Sequence, residues 1–161
     1  MKTLILVRHA KSSWEHDVDD IKRPLNSRGT EDAPLVANDF KTFGFQPDAI
    51  YSSPATRALT TCKLFMDHMH LSKKLLEVKD ELYDFGGEKV LRFIASLNDD
   101  YKNVMLFGHN PTFTSLINTL GNVRLDNLPT SGLALIEFDV DSWQAVKEGT
   151  TQMIITPKDL K

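Results

Sequence analysis

Short apolar runs alternate along the chain with longer segments in which apolar residues recur every three or four positions. Residues 3–7 form a continuous apolar run with β-branched members, which is typical of a buried central strand. Residues 48–52 follow Pro47 and have a similar character. The pattern predicts further strands at residues 75–78, 104–107, 133–138 and 152–156.

The intervening segments have the period of amphipathic helices. The longest apolar stripe starts at Ala55 and ends at Met69, with members three, four and seven residues apart. Similar stripes predict helices around residues 33–40, 90–97 and 113–120. Strands that alternate with helices of this length form β-α-β units, in which helices cover both faces of a largely parallel sheet. We therefore predict a single three-layer α/β/α domain with five or six strands in a mostly parallel central sheet.

Composition and charge narrow the class of protein. The chain has 161 residues and a formal net charge of −3, which predicts one domain over residues 1–161. This near-neutral balance argues against binding nucleic acid or an anionic membrane through bulk charge. The lone Cys62 cannot form an internal disulfide, and the first apolar run stops at Arg8, too soon for a signal peptide. We expect a cytoplasmic monomer with no membrane segment.

Cationic and imidazole side chains follow three of the predicted strands. Arg8 and His9 end the first strand, Arg57 lies in the first turn of the helix after the second, and His109 follows residues 104–107. Because ligands bind at the carboxyl ends of parallel strands, we expect these four side chains to meet at one edge of the sheet. Caps and opening prolines are predicted for the two helices concerned: Ser53 with Pro54, and Asn110 with Pro111.

Two guanidiniums and two imidazoles without a neighbouring carboxylate indicate a site for a phosphoryl group. Guanidinium pairs with phosphate oxygens bidentately, and imidazole either donates a hydrogen bond or attacks phosphorus. Arg57 favours this interpretation, because a cation in a first helical turn costs about 0.3 to 1 kcal/mol against the helix dipole, and a bound anion reverses that sign. A single histidine is more often a core or capping residue, so the prediction depends on the repetition at three strand ends.

Other chemistries have weaker support in the sequence. His68 and His70 are two residues apart near a helix end, which points them to different faces and argues against a metal site. Cys62 lies on an apolar stripe and is interpreted as a core residue. The chain contains no Gly-rich phosphate loop and no nucleophile elbow. We predict neither a metal nor a cofactor.

Three ordered segments resemble the signatures of the histidine phosphatase (phosphoglycerate-mutase-like) superfamily, and most closely those of its small SixA-like phosphohistidine phosphatase branch. The resemblance implies that His9 is the nucleophile and forms a phosphohistidine intermediate that water hydrolyses. It also implies that Arg8, Arg57 and His109 hold the phosphoryl oxygens, with two guanidiniums and an imidazolium supplying the positive charge. The segments are Leu6-Val7-Arg8-His9-Ala10-Lys11-Ser12, Ser52-Ser53-Pro54-Ala55-Thr56-Arg57-Ala58 and Gly108-His109-Asn110-Pro111.

The proton donor for the leaving group stays open at this point. Larger members of the superfamily use a carboxylic acid, for which the resemblance offers Asp80 or Glu81, after the strand at residues 75–78. An exposed charged turn explains these two residues equally well. The imidazole of a phosphohistidine leaves easily and has less need of a strong acid. Further candidates for contacts to the phosphate or the substrate are Lys11, Ser12, Asn110 and Arg28.

Three hypotheses about function follow. The first is a metal-independent phosphohistidine phosphatase acting on a phosphorylated protein, such as a histidine phosphotransfer domain. The second keeps the mechanism and acts on a small phosphomonoester, such as a sugar or nucleotide phosphate. The third is a phosphate-binding module without turnover, which would not need a nucleophile. The short connections between the motifs leave little room for a cap domain, which predicts an open site and favours the first hypothesis.

Overall fold

The sheet has six strands, of which four neighbouring strands run parallel to one another. The structure, a computed structural model, covers residues 1–161. Its strands form one sheet, parallel over four neighbours and antiparallel where the last two are added. The predicted mostly parallel sheet is confirmed. The strands are β1 (Lys2–Arg8), β2 (Ala49–Ser52), β3 (Leu76–Val78), β4 (Asn103–Gly108), β5 (Leu133–Phe138) and β6 (Thr150–Ile155), in the spatial order β3-β2-β4-β1-β5-β6.

Four helices cover the two faces of this sheet. They are α1 (Ser27–Lys41), α2 (Thr56–His68), α3 (Glu88–Ala95) and α4 (Thr112–Leu120). Apolar side chains of α1 and α2 belong to one core cluster, and those of α3 and α4 belong to the other. The predicted three-layer α/β/α architecture is therefore confirmed. None of these helices combines the length and the hydropathy that a bilayer span requires.

The central position of β1, between two layers of helices, explains why its sequence is apolar without interruption. Leu4 and Leu6 pack towards α3 and α4, whereas Ile5 and Val7 pack towards α1 and α2. Successive side chains of a strand point to opposite faces, so a strand covered on both faces needs apolar residues at every position. All four side chains are fully buried.

Two predicted helix starts differ from the structure. Helix α2 begins at Thr56, two residues after Pro54, and no side chain caps its first turn, so the prediction of Ser53 as its cap is wrong. The Ser53 hydroxyl instead contacts His109 Nε2 at 2.8 Å. Helix α4 begins at Thr112, one residue after Pro111, and the Asn110 Oδ1 accepts a hydrogen bond from the amide of Thr114 in its first turn at 3.1 Å.

The strand register brings the candidate residues to one level. Arg8 lies beside Gly108 in the β1–β4 pair, and Ser52 lies beside Phe107 in the β2–β4 pair. The ladder continues one step beyond the strands, where the His9 amide donates to the Gly108 carbonyl at 3.0 Å. The carboxyl ends of three parallel strands therefore stop within about one residue of each other, which sets the site.

Candidate active site

A cavity of about 280 Å³ lies at the carboxyl ends of β1, β2 and β4. Three of the four predicted central residues line it, and the fourth lies behind it. Its walls also include Trp14, Asp20 and Arg23 from the loop between β1 and α1, three residues to which the sequence pattern gave no role. The lining residues are Arg8, His9, Lys11, Ser12, Trp14, Asp20, Arg23, Arg57, Phe85, Asn110 and Thr130.

His9 is held with one ring nitrogen engaged and the other free. Its Nδ1 lies 2.7 Å from the carbonyl oxygen of Ala10, so this nitrogen carries the proton and donates it. Nε2 then holds the lone pair and has no hydrogen-bond partner in the protein. Burial, together with the charges of Arg57 and Arg8, lowers the pKa of His9 to about 4, although the bond to Ala10 opposes this shift. The ring is neutral at pH 7.

Arg57 enters the cavity from the first turn of α2 with its outer nitrogens already occupied. Nη1 donates to the backbone oxygen of Asp20 at 2.6 Å, and Nη2 donates to the Asp20 carboxylate at 2.9 Å. The side chain is 3% exposed, and its Nε is buried without a partner. No carboxylate is adjacent to the two arginines in the sequence, and Asp20 reaches Arg57 from the loop between β1 and α1.

The carboxylate of Asp20 accepts hydrogen bonds from three side chains, in addition to the bond that Arg57 donates to its backbone oxygen. Arg23 Nε donates to one carboxylate oxygen at 3.1 Å, and the Tyr83 hydroxyl donates to the other at 2.7 Å. Burial alone would raise the pKa of Asp20, but hydrogen bonds from Tyr83, Arg57 and Arg23 hold it far below its usual value. The cavity therefore contains a permanent carboxylate that the pattern of strands and helices could not reveal, because Asp20 lies in the long loop between β1 and α1.

One nitrogen of the Arg8 guanidinium donates a hydrogen bond to the protein, and another has no partner. Nη1 donates to the carbonyl oxygen of Leu128 at 2.9 Å, while the buried Nε has no partner. An unpaired buried N–H group costs free energy unless a ligand or water accepts its proton. Arg8 and Arg57 thus both line the cavity, and each has a buried Nε–H group without a protein partner.

His109 lies behind the cavity lining and is almost fully buried. Its ring centroid is 5.3 Å from that of His9, and the rings of Tyr83 and Phe85 pack against it. Nε2 is 2.8 Å from the Ser53 hydroxyl, and Nδ1 has no partner. Burial, followed by the charges of His9 and Arg57, lowers the pKa of His109 to about 3. The expected imidazolium is therefore neutral at pH 7, and arginines carry the positive charge.

The secondary candidates divide into two groups. Lys11, Ser12 and Asn110 line the cavity. Arg28 is exposed outside it and forms an ion pair with Asp32 at 3.4 Å.

Neither acidic candidate lines the cavity. Asp80 and Glu81 are both exposed, and Glu81 lines a separate depression against α3, together with Lys89 and Arg92. No three metal-ligating side chains converge anywhere in the chain.

An aromatic rim that the sequence analysis missed flanks the cavity. Trp14 is 76% exposed, and the guanidinium of Arg23 lies 3.5 Å from the centre of its ring. Phe85 is 42% exposed and packs edge-on against Tyr83. In the sequence, the available signal for Trp14 was a large apolar residue within a polar segment. Both rings border a positively charged depression and are ordered by neighbours that also serve the site.

The chain is similar to known proteins in both sequence and fold. The model of the histidine phosphatase superfamily (branch 1) matches residues 4–86. An uncharacterised chloroplastic protein of Arabidopsis thaliana is 29% identical over 153 residues, which cover 89% of this chain and 69% of that protein.

Solved structures share the fold over nearly the whole chain. A candidate phosphohistidine phosphatase SixA from Agrobacterium tumefaciens has a TM-score of 0.81 and 26% identity, with 97% of this chain and 98% of that chain covered. The protein histidine phosphatase SixA complexed with tungstate has a TM-score of 0.83 and 24% identity, with 99% of both chains covered. A candidate α-ribazole-5′-phosphate phosphatase from Escherichia coli has a TM-score of 0.71 and 17% identity, with 97% of both chains covered.

Proposed function

The chain belongs to the histidine phosphatase superfamily, and on that premise we propose that it is a phosphatase in which His9 accepts the phosphoryl group. The observation that carries this proposal is the state of the His9 ring. Its Nδ1 proton is held by the Ala10 carbonyl, so a neutral ring presents the Nε2 lone pair beside Arg8 and Arg57. A neutral imidazole nitrogen next to two guanidiniums suits attack on a phosphoryl group.

The reaction consists of two displacements at phosphorus. In the first, the Nε2 lone pair of His9 forms an N–P bond while the bond from phosphorus to the leaving group breaks, and the leaving group takes up a proton from solvent. In the second, water attacks the phosphohistidine and releases one proton to solvent, the N–P bond breaks, and its electron pair returns to Nε2. Inorganic phosphate leaves, and the ring is neutral again.

The arginines supply the electrostatic part of catalysis. Arg8 Nε and Arg57 Nε are buried donors without a protein partner, and phosphoryl oxygens would satisfy both. Charge spreads over the three equatorial oxygens during phosphoryl transfer, so preorganised donors around them lower the barrier. We assign Arg8, Arg57 and His109 to this role, with Lys11, Ser12 and Asn110 as neighbours for the rest of the substrate.

A phosphohistidine on a protein is the substrate that fits this site best. Asp20 is the only carboxylate in the cavity lining, and it is held ionised, which leaves no ready acid for a poor leaving group. The exposed rings of Trp14 and Phe85 suit contact with a protein surface. The likeness to the protein histidine phosphatase SixA, whose structure contains tungstate, supports the same substrate class.

A small phosphomonoester is the second candidate, and one feature favours it. A cavity of about 450 Å³ adjoins the first and shares Lys11, Ser12 and Trp14 with it. This space could take the remainder of a metabolite whose phosphate sits over His9. The likeness to a candidate α-ribazole-5′-phosphate phosphatase is consistent with such a substrate.

A side-by-side assay tests the proposal. We expect turnover of a carrier protein phosphorylated on histidine with phosphoramidate, at a kcat/KM well above that for sugar and nucleotide monophosphates. The His9→Ala variant should lose at least about a thousandfold in kcat/KM, because a missing nucleophile is not replaced by binding alone. His68→Ala, at the far end of α2, is the matched control and should keep wild-type activity.

The outcomes separate the hypotheses. Turnover confined to small monophosphates would move the assignment to the second candidate. Unchanged turnover by His9→Ala, or the absence of an acid-labile phosphoryl label on the wild-type protein after rapid quenching, would overturn the nucleophile assignment. Phosphate binding without turnover on any substrate would identify a binding module.

A further inference from the structure

Ser53 and His109 form a buried pair at the back of the site. Ser53 follows β2, is fully buried, and does not cap α2 as its position in the sequence predicted. Its hydroxyl oxygen lies 2.8 Å from His109 Nε2 and 3.2 Å from the amide nitrogen of Ala55. Neither ring nitrogen of His109 has another hydrogen-bond partner in the protein.

The hydrogen-bond inventory of this pair distinguishes the two neutral tautomers of His109. The amide of Ala55 has a proton to give, so it donates to the Ser53 oxygen. If His109 Nε2 also donated, the Ser53 hydroxyl proton would be buried without an acceptor, and the Nδ1 lone pair would be buried without a donor. If Ser53 instead donates to Nε2, every group of Ser53 is satisfied, and the single unpaired group is the Nδ1 proton of His109.

We propose that Ser53 is a positioning residue that fixes neutral His109 as the Nδ1–H tautomer, so that this proton is available to a phosphoryl oxygen. The role of the phosphoryl oxygen rests on the proposed function, whereas the tautomer does not. His109 needs no positive charge to take part, because a neutral ring with a fixed tautomer is a directed donor. The burial that keeps the ring neutral also removes water as a competing partner.

Removing the hydroxyl should release this constraint. In the Ser53→Ala variant nothing donates to Nε2, and the ring is free to adopt the Nε2–H form that histidine favours in water. His109 would then offer a lone pair rather than a proton to an anion. For histidines that bind metals, losing such a hydrogen-bond partner costs about ten- to a hundredfold in affinity or activity, and we expect a loss of the same order here.

The first test is nitrogen NMR of the protein with ¹⁵N-labelled histidine, with the His109 signals assigned by their loss in His109→Gln. We expect an N–H signal at Nδ1 and an unprotonated signal at Nε2, and a shift of the Nδ1 signal when tungstate is added. An Nε2–H signal in the wild-type protein would overturn the proposal. This readout needs no turnover, so it stands even if no phosphatase activity is found.

The second test compares two truncations in one dipeptide. Ser52 is as fully buried as Ser53, but its hydroxyl donates to the Ser53 carbonyl at 2.9 Å and does not contact His109. We expect Ser53→Ala to lower kcat by about ten- to a hundredfold and to weaken tungstate binding, while Ser52→Ala keeps both close to wild type. Equal losses in the two variants, or wild-type kcat in a folded Ser53→Ala, would contradict the positioning role.

Discussion

Arg57 already holds a carboxylate in the part of the site where we propose that a phosphoryl group binds. Asp20 contacts its two outer nitrogens, so an incoming phosphoryl group meets a negative charge as well as the arginines. The same carboxylate holds Arg23 and Tyr83, which makes it both a brace for the cations and a competitor for them. Binding measurements can detect the competition between the Asp20 carboxylate and a bound anion for Arg57.

We expect Asp20→Asn to bind inorganic phosphate about three- to tenfold more tightly. An amide keeps hydrogen-bonding capacity but removes one negative charge near the anion. The gain is modest because the Asp20 side chain is 46% exposed, so solvent screens its charge. The inhibition constant of phosphate in the activity assay, or calorimetry with tungstate, measures the change.

The neighbouring acid provides the control for this experiment. Asp19 is exposed, and its side chain makes no hydrogen bond, so Asp19→Asn makes the same charge change outside the Arg57 contact. It should alter phosphate binding by less than about twofold. Weaker phosphate binding by Asp20→Asn would mean that bracing Arg57 outweighs competition for it.

For single residues, the sequence predicts which side chains reach the site when they lie directly after strands. Arg8 and His9 were predictable because β1 ends there and parallel strands end at one edge. Asp20 and Tyr83 were not, because each lies in a loop whose path depends on tertiary packing. The protonation state of His109 was also out of reach, since it follows from burial that only the assembled fold creates.

Among the secondary elements, the start of α3 is tied closely to the site. Asp84 is buried and accepts hydrogen bonds from the amides of Gly86, Gly87 and Val90, each at 3.1 Å. The two residues beside it in the chain place aromatic rings against His109. One carboxylate therefore accepts hydrogen bonds at the start of α3 and lies between the two aromatic residues that pack against His109.

We expect Asp84→Ala to lower the free energy of unfolding by about 1 to 3 kcal/mol. The substitution leaves buried amide donors without an acceptor, in addition to removing the cap. Urea unfolding followed by circular dichroism gives the value. Asp126, exposed and without a side-chain hydrogen bond, supplies the control: Asp126→Ala should stay within about 0.5 kcal/mol of wild type. A loss confined to that range in Asp84→Ala would refute the capping role.

Periodicity predicts the long elements well and the short ones poorly. All six strands and four helices overlap the segments that apolar spacing predicted, although β6 starts two residues earlier, at Thr150, and α1 starts six residues before its apolar stripe, at Ser27. The short 3-10 turns at residues 20–22 and 80–82 have too few residues to show a period. The first of these turns contains Asp20, so the segment that periodicity misses also contains the residue that most changes the electrostatics of the site.

For the whole molecule, two buried neutral histidines make stability depend on pH. His9 and His109 have pKa values of about 4 and about 3 in the folded protein, against about 6.5 when the chain is unfolded. Below pH 6.5 the unfolded state therefore binds protons that the folded state rejects. Stability falls with falling pH through this window, whereas Asp20, whose pKa is lowered, contributes losses only at more acidic pH.

We expect the free energy of unfolding to fall between pH 6.5 and pH 4.5 by up to about 1.4 kcal/mol per pH unit for each of these histidines. Urea unfolding at several pH values measures the slope. The double variant His9→Gln, His109→Gln isolates their share, because every other titrating group is unchanged. Parallel slopes for wild type and double variant would show that the two rings protonate freely in the folded protein.

The position of β1 in the sheet also affects how the protein is made. Strand β1, which leads into His9, is synthesised before the other five strands, yet its lateral partners are β4 and β5. Until residues 103–108 and 133–138 have been synthesised, the apolar β1 segment has no neighbour and is open to association with other nascent chains. Because Arg8 and His109 are brought together only when β4 docks beside β1, an anion site that needs both residues is absent during this interval.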